Sequence, residues 1–429
     1  MKTIKKSSNK YITFLILFVC TLFFIFWVQK PTPWFVSSQT NLKNGTWRAT
    51  IQRKDGQQIV FNFLSKDSAG KKIIYVINGS EHLLVDSIET RADSVFIQMP
   101  FFESGFAAKI TSQGNLQGEW IKHYGERILR LPFQAEYNNG KRFEVSSSPA
   151  ANISGRWVST FKGENKTFTF VTEFKQQGSH LSGTVLDPTG DFRFLDGVVS
   201  GDSLKLSTFD GGNAYLLTAK IDNDNTISGG KFYAGATGTE DWSAVKNENA
   251  KVTDNLEGAQ LNPDEGKLNF TFPDSKDGKM ISINDKRFKN KVVVIQILGS
   301  WCPNCMDETK FLSDYYNKNH QKGFEVIGLA YERTTDFKSS QKALLPFKKR
   351  FDVQYPILIT GVTVSDPELT QKTLPQIKEI KAFPTSIFID KKGNIRKIDS
   401  GFNGPATGEF YTEFKKEFNQ VIQKLLAEK

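Results

Sequence analysis

Cys302 and Cys305, in the stretch "GSWCPNCMDE", are the residues of this chain best suited to chemistry. Two cysteines separated by two residues can be a structural staple, half of a zinc site, or a dithiol that opens and closes. A permanent bridge across so short a loop removes little unfolded-chain entropy and stabilises little. A structural zinc site takes four ligands, and after residue 20 the chain offers only these cysteines with His320 nearby. Redox chemistry is the strongest reading. The continuous apolar run "KVVVIQIL" (291–298) reads as a strand buried on both faces, and the residues after the pair read as a helix to about His320. The cysteines then stand at a helix N-terminus, where free N–H groups and the helix dipole favour an anion. A thiol in such a place falls from about 8.5 to roughly 3.5–7.5, so an exposed Cys302 is expected to be a nucleophile at neutral pH. Cys305, one turn on and less exposed, is placed to displace whatever Cys302 captures. Pro303 occupies the first helical turn, where its missing N–H costs little, and Trp301 gives the loop an apolar rim.

The elements around the pair alternate. "FEVIGLAY" (324–331) reads as a second buried strand, followed by a helix to about Phe351 that Pro346 is expected to kink or shorten. "YPILIT", the hairpin "TSIFIDKKGNIRKI" and a terminal helix from about Gly408 to Leu426 complete an α/β sheet over residues 266–429. In that last helix Phe410, Phe414, Phe418, Val421, Ile422 and Leu425 recur at three- and four-residue spacing, as for one apolar face.

"VVVIQILGSWCPNC" followed by "AFPTSIFIDKKGNI" resembles the membrane-tethered thioredoxin-fold oxidoreductases of the TlpA/ResA type, over roughly residues 266–429. The resemblance implies a Cys302–Cys305 redox disulfide with Cys302 attacking and Cys305 resolving. It implies a cis peptide bond before Pro384, with the backbone at Phe383 and Thr385 binding a substrate segment as an added strand. Thioredoxin proper has a buried Asp six residues before its first cysteine; Gln296 stands here, and an amide cannot take a proton. The ResA-like group instead has an acid three residues after the second cysteine, which is Glu308, sharing a helix face with Cys305. Glu308 is therefore expected to relay protons for Cys305, with Glu332 a weaker candidate. Residues 361–378 look like an insertion that shapes substrate access.

Residues 45–246 read as all-β. Short alternating runs such as "QIVFNFLS" and "SLKLSTF" are broken by Gly-containing turns about every ten residues. The region repeats itself at an offset of 109 to 111 residues, "GTWRATI" answering "GRWVSTF". Two tandem barrels or sandwiches of about eight strands are expected, over 45–140 and 150–246, with Trp47 and Trp157 in equivalent cores. His82, His123 and His180 are isolated and suggest no metal site. A spacer or partner-docking role fits these units, and 247–265 reads as a linker.

Residues 11–28 carry no charge and would span about 27 Å as a helix. Four lysines within residues 1–10 put that tail in the cytoplasm and everything after Lys30 outside. A cleaved signal peptide is the rival, but "FFIFWVQK" has no small-x-small site. Cys20, inside the run, is expected to be a lipid-facing or packed thiol. The formal charge of +10 is spread along the chain without a basic cluster, which argues against nucleic-acid binding. The expected protein is a cofactor-free thiol–disulfide oxidoreductase of the cytoplasmic membrane, facing the periplasmic side, with its redox domain at the far end of a two-unit β spacer. Its partners would be disulfide-bearing proteins and a membrane thiol electron donor, and reduction is the expected direction. One alternative is a peroxiredoxin-like peroxidase, suggested by "FTFPDSKDG", although no other cysteine follows residue 20 to serve it. Another is a binding or assembly protein whose β units recognise a partner.

Overall fold

The computed structural model describes residues 42–252 and 267–429. The expected tail 1–10, the span 11–28 and most of the linker, from 253 on, lie outside the described residues. Among the described residues no helix is long and apolar enough to cross a membrane.

Residues 45–137 form a nine-stranded antiparallel sheet in which the first strand, Gly45–Gln52, pairs with the last, Arg127–Tyr137. Residues 155–246 form a second antiparallel sheet, closed into a barrel where Thr167–Gln177 pairs with His180–Asp187. Alternation explains the strands: Trp47, Ala49 and Ile51 point inward in the first unit, and Trp157, Ser159 and Phe161 in the second. The two tryptophans are equivalent in bonding as well as in position. Trp47 donates its indole N–H to the Lys43 carbonyl at 3.2 Å, and Trp157 donates to Ile153 at 2.9 Å.

The β units are fused to each other. Phe209 of the second barrel inserts into the first unit's core, its ring centroid 4.4 Å from that of Phe61. The Asn78 side chain donates to the Phe209 carbonyl at 2.8 Å and accepts from its N–H at 3.2 Å. Residues 247–252, expected to open a linker, instead pack on the second barrel. Asn247 donates to the Arg156 carbonyl, and Ala250 is buried beside Val171 and Leu186.

The C-terminal domain has a five-stranded sheet ordered Ile357–Ile359, Phe324–Ala330, Val292–Leu298, Thr385–Ile389, Ile395–Ser400, in which Thr385–Ile389 alone runs antiparallel to the others. Val292, Val294 and Leu298 of the central strand face helices α1 (Pro303–Asn319), α2 (Phe337–Arg350) and α4 (Glu409–Ala427). Val293, Ile295 and Ile297 face Leu268, Phe270, Leu374 and Ile377. Both faces are covered, hence the unbroken apolar run. Helix α2 reaches Arg350, close to the expected end, and is not shortened at Pro346, because the proline is exposed and the carbonyl it leaves unbonded can turn to water. Phe410 leaves the apolar face of α4 and stacks under the Arg156 guanidinium at 4.5 Å. The segment 361–378 holds the short helix α3 (Leu369–Thr373) and packs on the sheet, Thr373 bonding the Tyr331 hydroxyl at 2.7 Å.

The redox domain is not carried at the far end of a spacer. Met306 of α1 and Phe347 of α2 belong to the first β unit's core cluster, with the Phe101 ring 5.0 Å from Phe347. Arg350 donates to the Leu84 carbonyl at 2.6 Å. These outward-facing apolar side chains need cover, and the β units supply it.

Candidate active site

Cys302 is the N-cap of α1. Its backbone is extended (φ −101°, ψ 115°), its sulfur accepts the Cys305 N–H at 3.1 Å, and Pro303 opens the helix. The cysteines are joined as a disulfide, with Cα atoms 5.2 Å apart. Cys305 is fully enclosed. Cys302, expected to be exposed, is only 4% so.

The cis Phe383–Pro384 peptide lies against the pair, with the Phe383 carbonyl oxygen 3.5 Å from the Cys302 sulfur. Gly401 fixes this loop by donating to the Pro384 carbonyl at 2.8 Å, and the buried Thr385 hydroxyl donates to Ala382 at 2.8 Å. Trp301 donates its indole N–H to the Tyr331 carbonyl at 2.8 Å and packs against the Phe383 ring at 5.2 Å. That indole folds over Gly299, where a Cβ would sit 2.2 Å from its nitrogen. On the rim, the Arg333 guanidinium lies 5.3 Å from the Trp301 ring and 4.9 Å from Tyr124 of the first β unit.

Two buried carboxylates flank the pair. Glu308 accepts from the Gln296 amide at 2.8 Å and the Ser386 hydroxyl at 2.9 Å. Burial pushes it up to about 7 against the opposing effect of those bonds. Gln296, the departure from thioredoxin, thus anchors the acid on α1. Glu332 accepts both the N–H and the hydroxyl of Ser300, at 2.9 and 2.6 Å, and burial pushes it too up to about 7.

The remaining neighbours come from the β units, and the sequence held no sign of them. The Asn304 amide, between the cysteines, donates to the Asp191 carbonyl and accepts from its N–H, both at 3.1 Å. A Cβ on Gly212 would lie 3.0 Å from Pro303 Cγ and 2.9 Å from the Phe102 ring, so only glycine lets that turn come so close. Arg193 pairs with Asp307 of α1 at 3.2 Å, with Asp210 at 3.3 Å, and with Glu81. One guanidinium cannot neutralise Glu81, Asp210, Asp307 and the adjacent Asp191. Burial pushes Asp307 up to about 7 and Asp191 up to about 6, while the acids together raise Arg193.

A profile of the Redoxin family matches residues 263–412. The chain is 30% identical over 151 residues to the thiol-disulfide oxidoreductase ResA of Bacillus thuringiensis subsp. konkukian, covering 35% of this chain and 74% of the relative. It is 23% identical over 133 residues to ResA of Bacillus subtilis, covering 31% of this chain and 64% of that one. A solved thioredoxin-family thiol:disulfide interchange protein from Chlorobium tepidum aligns at a TM-score of 0.29 and 21% identity, over 39% of this chain and 100% of its own. The Redoxin match spans Cys302, Cys305 and the Phe383–Pro384 loop, and by its likeness to the first relative the chain belongs to the ResA family of thiol–disulfide oxidoreductases.

Proposed function

We propose that this protein reduces disulfides in other proteins, with Cys302 as nucleophile and Cys305 as resolving thiol. The observation that carries the reading is the placement of the Cys302 sulfur at the N-terminus of α1 and 3.5 Å from the Phe383 carbonyl. A substrate strand pairing with that backbone brings its own sulfur to Cys302. In the reduced enzyme the Cys302 thiolate attacks one substrate sulfur. The substrate disulfide breaks, and its other sulfur leaves as a thiolate that takes a proton. Cys305 then loses its proton to Glu308 and attacks Cys302, forming the internal disulfide and releasing the second substrate thiol. Two electrons and two protons pass to the substrate, and a dithiol donor must return them.

Placement outside the cytoplasm is part of the same reading. The uncharged run 11–28 behind four lysines supports a single membrane tether, with a membrane dithiol carrier as the electron donor. Trapping tests the mechanism: Cys305→Ser is expected to hold a partner protein covalently through Cys302, and Cys302→Ser to hold none. Equal trapping by both variants, or none by either, would overturn it.

A further inference from the structure

Cys302 has to meet the substrate sulfur, yet much of what surrounds its turn belongs to the β units. The turn at Gly212 lies on Pro303, backed by Phe102 of the first unit. The strand residue Asp191 offers its backbone N–H and carbonyl to Asn304, as one strand would to another. Arg193 fixes Asp307 one turn further along α1. Lys122 of the first unit donates to the Gly212 carbonyl, so both units hold the same turn in place. Three consecutive surfaces of the α1 N-terminus are thereby occupied from within the chain.

The rim that remains at the pair is formed by Trp301, Phe383 and Arg333 of the C-terminal domain, with Tyr124 of the first β unit under the Arg333 guanidinium. These side chains are partly accessible, while Cys302 below them is 4% exposed. The covering contacts combine apolar packing, Met306 and Phe347 in the first unit's core, with the buried Arg193 ion pairs. They make a wall, fixed on two helices.

We infer that the tandem β units are a steric filter on the redox pair, admitting short or extended disulfide-bearing segments past Trp301 and Phe383 and excluding disulfides on the surface of folded proteins. The inference rests on the oxidoreductase reading above and adds the substrate class. An extended segment needs only the strand-like contact at Phe383. A folded protein brings bulk on both sides of its disulfide, and that bulk meets the Gly212 turn and the Asp191 strand.

The test compares two oxidants of matched reduction potential on the reduced full-length protein: a short peptide with one disulfide, and a stably folded protein with one surface disulfide. The peptide is expected to oxidise the enzyme faster by roughly tenfold or more, the discrimination a poorly fitting contact gives. Gly212→Leu, which wedges the turn away from Pro303, and Arg193→Met, which removes the ion pairs, are each expected to shrink that ratio. Should either variant fail to fold, the wild-type ratio decides, together with alkylation of reduced Cys302 by N-ethylmaleimide against a maleimide borne on a stably folded protein, each rate taken relative to that of the same reagent with a small free thiol. Equal rates for both oxidants and both alkylating agents would overturn the filter and leave the oxidoreductase standing. Absence of exchange with either oxidant would overturn both.

Discussion

At the scale of single residues, the site turns on where one proton goes. Cys305 has to lose its proton before it can attack the mixed disulfide, and it is enclosed on all sides. Glu308 stands three residues on along the same helix face, and burial has pushed it up to about 7. An acid at that value accepts and returns a proton at neutral pH, where an ordinary carboxylate stays ionised. Glu308→Gln keeps the shape and the partners Gln296 and Ser386 but removes the proton acceptor. It is expected to slow resolution of the mixed disulfide by roughly 100-fold, the lower end of general acid–base catalysis. It should also abolish the rate increase through pH 7 that deprotonation of Glu308 gives the wild-type enzyme. Single-turnover kinetics between pH 6 and 8.5 would show both effects, and an unchanged profile would assign Glu308 a purely structural part. Its spacing from Cys305 was readable in the sequence. That Gln296 would hold it was not, because an amide in a buried strand signals only that some partner exists.

At the scale of elements, each strand and helix is placed by its own pattern, but the join between elements is placed by side chains whose destination no local pattern states. The run "SLKLSTF" announces an inward Phe209; it does not announce that inward means the neighbouring unit's core. The same limit explains Phe410, which keeps helical spacing but meets Arg156, and Pro346, which a helix tolerates on its solvent side. The repeat was legible because both copies keep the Trp47/Trp157 strand and its indole bond to a carbonyl four residues back. Phe209 is fully buried with Phe61, Phe106 and Trp120 around it. Phe209→Ala is expected to cost about 3–5 kcal/mol, as for buried Phe elsewhere, and to destabilise the two β units together, since the side chain of one completes the core of the other. Denaturant unfolding followed by intrinsic tryptophan fluorescence would show one lowered midpoint. A loss confined to residues 155–246 by hydrogen exchange would mean the units are independent.

At the scale of the whole molecule, the three folded parts meet around Arg193, and the charge gathered there gives the protein a distinctive pH response. Glu81 comes from the first β unit, Asp191 and Asp210 from the second, Asp307 from α1. No sequence pattern joins residues 112 to 114 positions apart, so this node was invisible until the chain was folded. Asp307 and Asp191 are raised by burial, as are Glu308 and Glu332 at the redox pair. All four bind protons more tightly in the folded protein than in the unfolded chain. The stability they give is complete below the ordinary carboxylate range and is lost as pH rises towards 7. Exposed acids such as Asp366, held low by Lys372, act oppositely but have already given their full effect above about pH 5. Thermal unfolding of the oxidised protein is therefore expected at a higher temperature at pH 5.5 than at pH 8. Asp307→Asn, which cannot ionise, should flatten that dependence while leaving the Arg193 contact sterically possible. If the midpoint instead stays level or rises towards pH 8, the acids around Arg193 are ionised throughout, and the guanidinium, not a shared proton, balances the interface.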